Sequence, residues 1–375
     1  MQNTVLIVDS RSVITKDQNT FARHQMYADT LLDQSRGNLS LSVLYFSKCK
    51  KPKKEISGSL LLFEAPINPF LALRTFRLLI KTINMSVNVK LVIAGDPWES
   101  LILARIIRMS LRTKASVQVQ VHGDIGNRKW IEANIRNWIR SRMAFLTLRL
   151  ADQIRSVSEG QSVELINTYK VSPSSLVIVP VPSFFQENNR FLEPEIRRPG
   201  NLGFVGRIQD DRGLSLFIEL ISKLASIEPE FSVVIAGDGD KREELLASLE
   251  AIIGKGRIIF FGQVSQHDML NVWNQVGILV STAPSESFGR TLRESLVHGV
   301  PVWAVLSSGV RDLMKQVKEN EVQIMDLTFT PEHLIQDFNS LLNSNVSPET
   351  KKLLRELDND YVFALVNSWT TLCNH

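Results

Sequence analysis

The chemistry in this chain of 375 residues gathers around two arginines and two glutamates. Arg207 and Arg212 follow an apolar run ending in Gly206, in the order Phe204-Val-Gly-Arg-Ile-Gln-Asp-Asp-Arg-Gly213. Glycine at a strand end lets backbone come close to a ligand. A guanidinium is a planar fork of N–H donors, so two of them facing one hollow suit the non-bridging oxygens of a diphosphate. Two arginines on a solvated loop would read the same way, and the spacing leaves both possibilities open.

A second constellation runs Ser285-Glu286-Ser-Phe-Gly289-Arg290-Thr291-Leu-Arg-Glu294 and continues into Gly299-Val-Pro-Val302. Gly289 precedes a short helix whose first amides lack intrahelical acceptors and carry partial positive charge, which makes an anion site. Glu294, one turn inside, can accept from a pair of ribose hydroxyls, and Glu286, on the loop, from the hydroxyls of a sugar. The plainer alternatives are a solvated helix residue and a helix-start acid favoured by the dipole. A third feature is Gly237-Asp238-Gly239-Asp240. Its carboxylates invite a metal, but Lys241 and Arg242 follow and no third carboxylate is near. The expectation is a tight turn with Asp238 on local amides and no metal.

These residues need strand ends and helix starts to hold them. Strand-like runs are expected at Thr4–Val8, Leu41–Phe46, Leu60–Phe63, Lys90–Ala94, Ser116–Val121, Ile154–Val157 and Leu176–Pro180. A second series follows at Asn201–Val205, Phe231–Ala236, Arg257–Phe261, Gly277–Ser281 and Val300–Ala304. Helical spacing lies between most of them, as in Leu214–Ile227 and Lys241–Ile253. Strand–helix alternation predicts parallel sheets covered on both faces, hence α/β architecture with two Rossmann-like doubly wound domains. Ligands are expected where strand C-termini face a cleft. The expected division is residues 1–182, a proline-containing linker at 183–199, a second domain at 200–346 and C-terminal helix at 347–375 that packs back on the first domain. The basic run Lys48–Lys54 reads as a solvated loop.

Charge is segregated. Residues 1–198 hold 28 Lys and Arg against 16 Asp and Glu, and the rest hold 15 against 23. That asymmetry points to different partners for the two halves. In Asn127–Leu150, Trp130, Ile131, Ile135, Trp138, Ile139 and Met143 recur at helical spacing with arginines between them. One reading is an interfacial helix on an anionic membrane; the other buries the apolar face and solvates the basic one. Pro66–Ile83 carries the same ambiguity. No run is long and apolar enough to span a bilayer, and the N-terminus reads as a first strand rather than a signal peptide. Two cysteines, Cys49 and Cys373, support neither a disulfide framework nor a zinc site, so a reducing cytoplasm is expected. No recognition motif for nucleic acid accompanies the basic charge.

Taken together, Gly-Arg-x4-Arg-Gly, Gly-Asp-Gly and Glu-x7-Glu leading into Gly-Val-Pro-Val resemble the retaining glycosyltransferases of the GT-B fold, more narrowly group 1 (family 4). The likeness covers roughly residues 200–330; Val121-His122-Gly123-Asp124 and Ala151–Glu159 extend it thinly into the first half. It implies two domains facing a central cleft, a nucleotide-diphosphate sugar as donor, no metal or other cofactor, and a glycan or lipid-linked acceptor in cell-surface polysaccharide or glycoconjugate assembly. It also implies catalytic roles for Arg207, Arg212, Glu286 and His122. The donor would be held by Gly206, Gly237, Asp238, Gly289, Arg290, Thr291 and Glu294. With the cytoplasm expected from the cysteines, the protein would be peripheral on the inner membrane face if the interfacial helix reading holds. Two departures stand out. Arg212 occupies a position where this family often has lysine, and Asp9–Asn19 lacks the glycines the family places after its first strand. The second favours an alternative, a catalytically silent GT-B protein that binds nucleotide sugar or serves as a partner subunit.

Overall fold

Successive side chains of a strand point to opposite sides, so a strand apolar at consecutive positions must be covered on both faces. Residues Val5, Leu6, Ile7 and Val8 meet that condition and are all buried. The computed structural model describes residues 1–9, 18–66, 72–132, 134–183, 200–227, 230–265 and 268–374. Most of the glycine-free turn (10–17), the start of the Pro66–Ile83 stretch (67–71), nearly all of the expected linker (184–199) and Gln266 lie outside the described residues. By Cα proximity the chain groups into two units. One comprises Met1–Gly126, Asn134–Pro180 and Asp360–His375; the other comprises Asn127–Ala133 and Val181–Asn359.

The first unit contains β1 (Gln2–Asp9), α1 (Gln18–Gln34), β2 (Leu39–Ser47), β3 (Lys53–Ser57), β4 (Leu60–Pro66), α2 (Ala72–Ser86), β5 (Val87–Ala94), α3 (Glu99–Leu111) and β6 (Ser116–Gln120). The chain continues through α4 (Arg128–Glu132), which groups with the second unit, then α5 (Ile135–Thr147), β7 (Gln153–Ser156), α6 (Glu159–Tyr169) and β8 (Leu176–Ile178). Strand order is β3-β4-β2-β1-β5-β6-β7-β8. Every pair is parallel except β3 with β4. The basic run expected to be a loop therefore ends inside an edge strand. Lys53, Lys54 and Glu55 are all exposed there, and a lysine-bearing edge discourages pairing with a further chain.

The second unit contains β9 (Asn201–Val205), α7 (Leu214–Ala225), β10 (Ser232–Ala236), α8 (Arg242–Ile253), β11 (Ile258–Gly262), α9 (Met269–Trp273), β12 (Ile278–Ser281) and α10 (Arg290–Val297). It closes with β13 (Val302–Ala304), α11 (Ser308–Met314), β14 (Val322–Ile324), α12 (Pro331–Asn343) and α13 (Pro348–Cys373). Its sheet is wholly parallel, in the order β11-β10-β9-β12-β13-β14. β14 was not among the expected strands. The alternation is visible in the cores: Val233 and Ile235 of β10 pack into one apolar cluster with α7 and α8, while Val234 and Ala236 pack into another with α10. Each fully buried Val or Ile contributes about 1.5–3 kcal/mol of transfer free energy, so these layers fix the strand ends firmly.

Helix α13 belongs to both groupings. Near its middle, Asp358 Oδ1 accepts from the Ser183 amide at 2.6 Å within the second unit. Near its end, fully buried Trp369 donates from Nε1 to Gln118 Oε1 at 3.1 Å and meets Tyr27 edge-on within the first.

Two glycines hold the second sheet's strand ends in contact. Gly237, just past β10, has φ +143°, and a Cβ there would lie 1.8 Å from the Gly206 carbonyl oxygen. Gly213, just before α7, has φ +72°, and a Cβ there would lie 2.1 Å from the Thr282 carbonyl oxygen. Both neighbours are backbone and cannot swing aside. Gly237→Ala is expected to cost about 3 kcal/mol or more, read as a lowered urea midpoint. A midpoint within error of wild type would show that the strand ends are not so tightly apposed.

Candidate functional site

In the second unit the chain runs outward from β9 through β10 to β11, then returns to the other side of β9 for β12, β13 and β14. The order therefore reverses between β9 and β12, and the C-terminal ends of those two strands diverge there to leave a crevice. A hollow of about 30 Å³ occupies it, lined by Val205, Gly206, Arg212, Thr282, Glu286 and Thr291 among others.

Arg212 ends a short turn, Asp210–Arg212, and Gly213 swings the chain into α7. Its carbonyl accepts from Thr282 Oγ1 at 3.1 Å, which ties the turn to the end of β12. Its guanidinium donates from Nη1 to Glu286 Oε2 at 2.9 Å. The other carboxylate oxygen, Oε1, accepts from the Gly289 amide at 3.1 Å, at the entry to α10. The Glu286 carbonyl in turn accepts from the Gly309 amide at 2.7 Å. Arg212, Glu286 and the start of α10 are thus one connected structure. Arg212 Nε is buried and has no hydrogen-bond partner. A buried donor left unmet costs about 1–3 kcal/mol, and an anionic oxygen in the hollow would relieve that cost.

The other sequence-derived candidates divide. Gly206, Thr291 and Gly289 lie with Arg212 and Glu286, the first two on the hollow's wall. Arg207 does not join them: its Nη2 stands 3.5 Å from Asp211 Oδ2 in an exposed pair one turn apart. Gly237 supports the wall by abutting Gly206. Asp238 Oδ1 accepts from the Gly239 amide at 2.8 Å and pairs with Arg242 at 3.5 Å. Arg290 is exposed on the first turn of α10. Among the described residues no cluster of His, Cys, Asp and Glu is arranged to hold a metal ion. His122 lies in the first unit, exposed just beyond β6, with Nε2 3.1 Å from Gln120 Oε1.

Glu294 sits on α10 with Oε1 accepting from Trp273 Nε1 at 3.3 Å. Burial pushes its carboxyl above the ordinary value and Asp358 adds to the rise, while the Trp273 bond and the Arg290 charge pull the other way. Trp273 is fully buried and stacks on His298, ring centroids 6.1 Å apart. Burial, with Arg355 and Lys351 near, pushes the His298 imidazole down from 6.5 to about 4. Sequence reasoning missed Thr282, Trp273 and His298. Thr282 was legible only as the residue after a strand, and Trp273 only as an apolar residue 21 positions from its partner.

Residues 185–357, just under half of the chain, match the family model described as glycosyl transferases group 1. The 2-deoxystreptamine glucosyltransferase of Streptomyces kanamyceticus is 24% identical over 140 residues, covering 36% of this chain and 36% of that protein. The chain therefore spans about a third of that relative's length. Sucrose-phosphate synthase from Thermosynechococcus elongatus superposes with a TM-score of 0.71 at 15% identity, over 99% of each chain. HepE of Anabaena, solved in complex with UDP and glucose, superposes with a TM-score of 0.63 at 15% identity, over 98% of each chain. The chain has the GT-B fold with two Rossmann-like domains, and its C-terminal half matches the group 1 glycosyltransferase model.

Two pH effects follow. Because the Glu294 carboxyl is raised in the fold, the folded chain holds that proton more tightly than the unfolded one, and the associated stability is lost as pH rises through the folded value. Glu294→Gln should therefore melt above wild type at pH 7, with the gap closing below the ordinary carboxylate value of 4.5. For His298 the sign reverses: its stability is present in full above 6.5 and falls as pH drops toward about 4. The loss is on the order of 3 kcal/mol, and His298→Phe, which keeps the stack, should remove it. Melting curves across that range that coincide for wild type and variants would contradict both.

Proposed function

Starting from a group 1 glycosyltransferase domain on the GT-B fold, we propose that the chain moves a hexose-type sugar from a nucleotide-diphosphate donor to a glycan or lipid-linked acceptor, with retention. The observation that carries this reading is the linked set Arg212–Glu286–Gly289 at the reversal point of the second sheet. A diphosphate entering there meets a guanidinium already oriented, an unmet Arg212 N–H and glycine-lined backbone. Charge grows on the β-phosphate as the sugar leaves, and groups preorganised around that charge are worth several kcal/mol, about 3–4 for one well-placed donor. The role of cation falls to Arg212, so the reading calls for no metal or other cofactor.

Glu286 serves first as a positioning group, since it locks Arg212 and the entry to α10 together. It also lines the hollow, and its remaining lone pairs suit the hydroxyls of the donor sugar. Glu294, ionised, takes the ribose hydroxyls. The acceptor hydroxyl attacks from the leaving group's own face, which gives retention without a carboxylate nucleophile. Arg207 reaches the diphosphate only by leaving Asp211, an exchange that an exposed pair worth at most about 1 kcal/mol permits. The excess of basic residues in the first half supports an anionic or lipid-linked acceptor in surface-glycan assembly, and work in the cytoplasm at the inner membrane face. No helix among the described residues is long and apolar enough to cross a membrane.

Screening UDP, GDP, ADP and CDP by thermal shift tests the donor half. At about a hundredfold excess over Kd a bound nucleotide adds about 2.7 kcal/mol, a shift of several degrees. No shift with any of the four would remove the reading. Slow sugar release from one nucleotide sugar, reduced about 10²-fold or more by Glu286→Ala, supports the transferase. A nucleotide-induced shift with no sugar release and no transfer points to the silent binding protein.

A further inference from the structure

Helix α5 is amphipathic the opposite way round from an ordinary surface helix. The side chains it buries are small: Ser141, Ala144 and Thr147. The side chains it presents outward are large and apolar: Ile135 is 71% exposed, Trp138 46%, Ile139 48% and Leu146 68%, with Phe145 and Leu150 beside them. At helical spacing Ile135, Ile139, Arg142 and Leu146 form one stripe. Small buried residues let the helix sit close to its support, where Trp98 Nε1 donates to the Arg140 carbonyl at 2.7 Å and Thr147 Oγ1 to the Pro97 carbonyl. The orientation is therefore fixed by packing.

Charge completes the face. From Asn134 to Ala151 the chain has four arginines, Arg136, Arg140, Arg142 and Arg149, and no acid. Arg142 lies over the Trp138 ring at 5.4 Å and Arg149 over the Phe145 ring at 4.8 Å. Helix α3, which packs against the short turn Leu148–Leu150 that follows α5, carries a second outward stripe of Ile102, Ile106 and Met109. The basic-face alternative raised by the sequence, with the apolar side buried, is thereby overturned for α5.

We propose that the outward face of α5, flanked by the α3 stripe, docks the protein on an anionic lipid surface. Tryptophan and isoleucine would enter the boundary between headgroups and acyl chains, by about 5–10 Å, while the arginines pair with lipid phosphates. A second copy of the chain is a poor occupant, because it would set one acid-free arginine face against another. The proposal deepens the lipid-linked part of the function above by giving that acceptor's membrane a place to meet the protein. Vesicle binding needs no sugar transfer, so the two can fail separately.

The test is sedimentation of the full chain with phosphatidylglycerol–phosphatidylcholine vesicles and with phosphatidylcholine alone, at low and high salt. Binding is expected on the anionic vesicles, weakened by salt. It should fall by at least about tenfold in Ile139→Ser/Leu146→Ser and in Arg142→Ser/Arg149→Ser, with melting temperature and nucleotide-induced shift kept. Equal recovery on both vesicle types overturns the proposal, as does undiminished binding by both variants. A dimer in light scattering that Ile139→Ser/Leu146→Ser splits, without vesicle binding, would give the face to a second copy instead.

Discussion

The ion pair between Arg212 and Glu286 is the contact on which the second domain's site depends. Their side chains are 31% and 21% exposed, so the pair is shielded enough to matter and open enough to be reached. Its importance is geometric more than energetic. One carboxylate, held by the Gly289 amide and by backbone ties to Gly309, sets where the guanidinium points. Removing either partner leaves a charge without its counterpart beside a helix entry, and a partly buried charge left alone costs more than the pair contributes.

The fold around that pair sets it on the wall of a hollow at the strand ends. Parallel strands buried on both faces cannot shift register without moving a whole apolar set, so their ends are fixed points. At those ends side chains give way to glycines: Gly206 and Gly237 abut, and Gly213 sits under Thr282. The remaining polar groups are held at some cost. Glu294 is kept in surroundings that disfavour its charge, and Arg212 Nε has no partner. Such costs fit the binding role proposed for this hollow.

Much of this was legible in the residues. Consecutive apolar positions marked β1, β5 and β10, and Glu-x7-Glu after a strand marked the helix entry, with Glu286 on the loop before it and Glu294 one turn inside. Other parts were not, for reasons that are physical. Helical periodicity locates a stripe and says nothing about which side faces water; in α5 that is decided by Ser141, Ala144 and Thr147, whose small size lets the helix approach closely. Asn134 caps α5 by accepting from the Asn137 amide, which splits what the spacing presented as one basic segment. Arg207 and Arg212 looked equivalent, yet Asp211 lies one turn from the first and Glu286 reaches the second from far along the chain. Edge strand β3 is exposed at most of its positions, so no apolar pattern announces it.

The central claim is that Arg212, oriented by Glu286, grips the diphosphate of a donor. Isothermal titration of a nucleoside diphosphate and the matching monophosphate against wild type and Arg212→Ala tests it most directly. The account predicts that wild type prefers the diphosphate and that the variant loses this preference while still binding the monophosphate. A preference that survives in Arg212→Ala would contradict it.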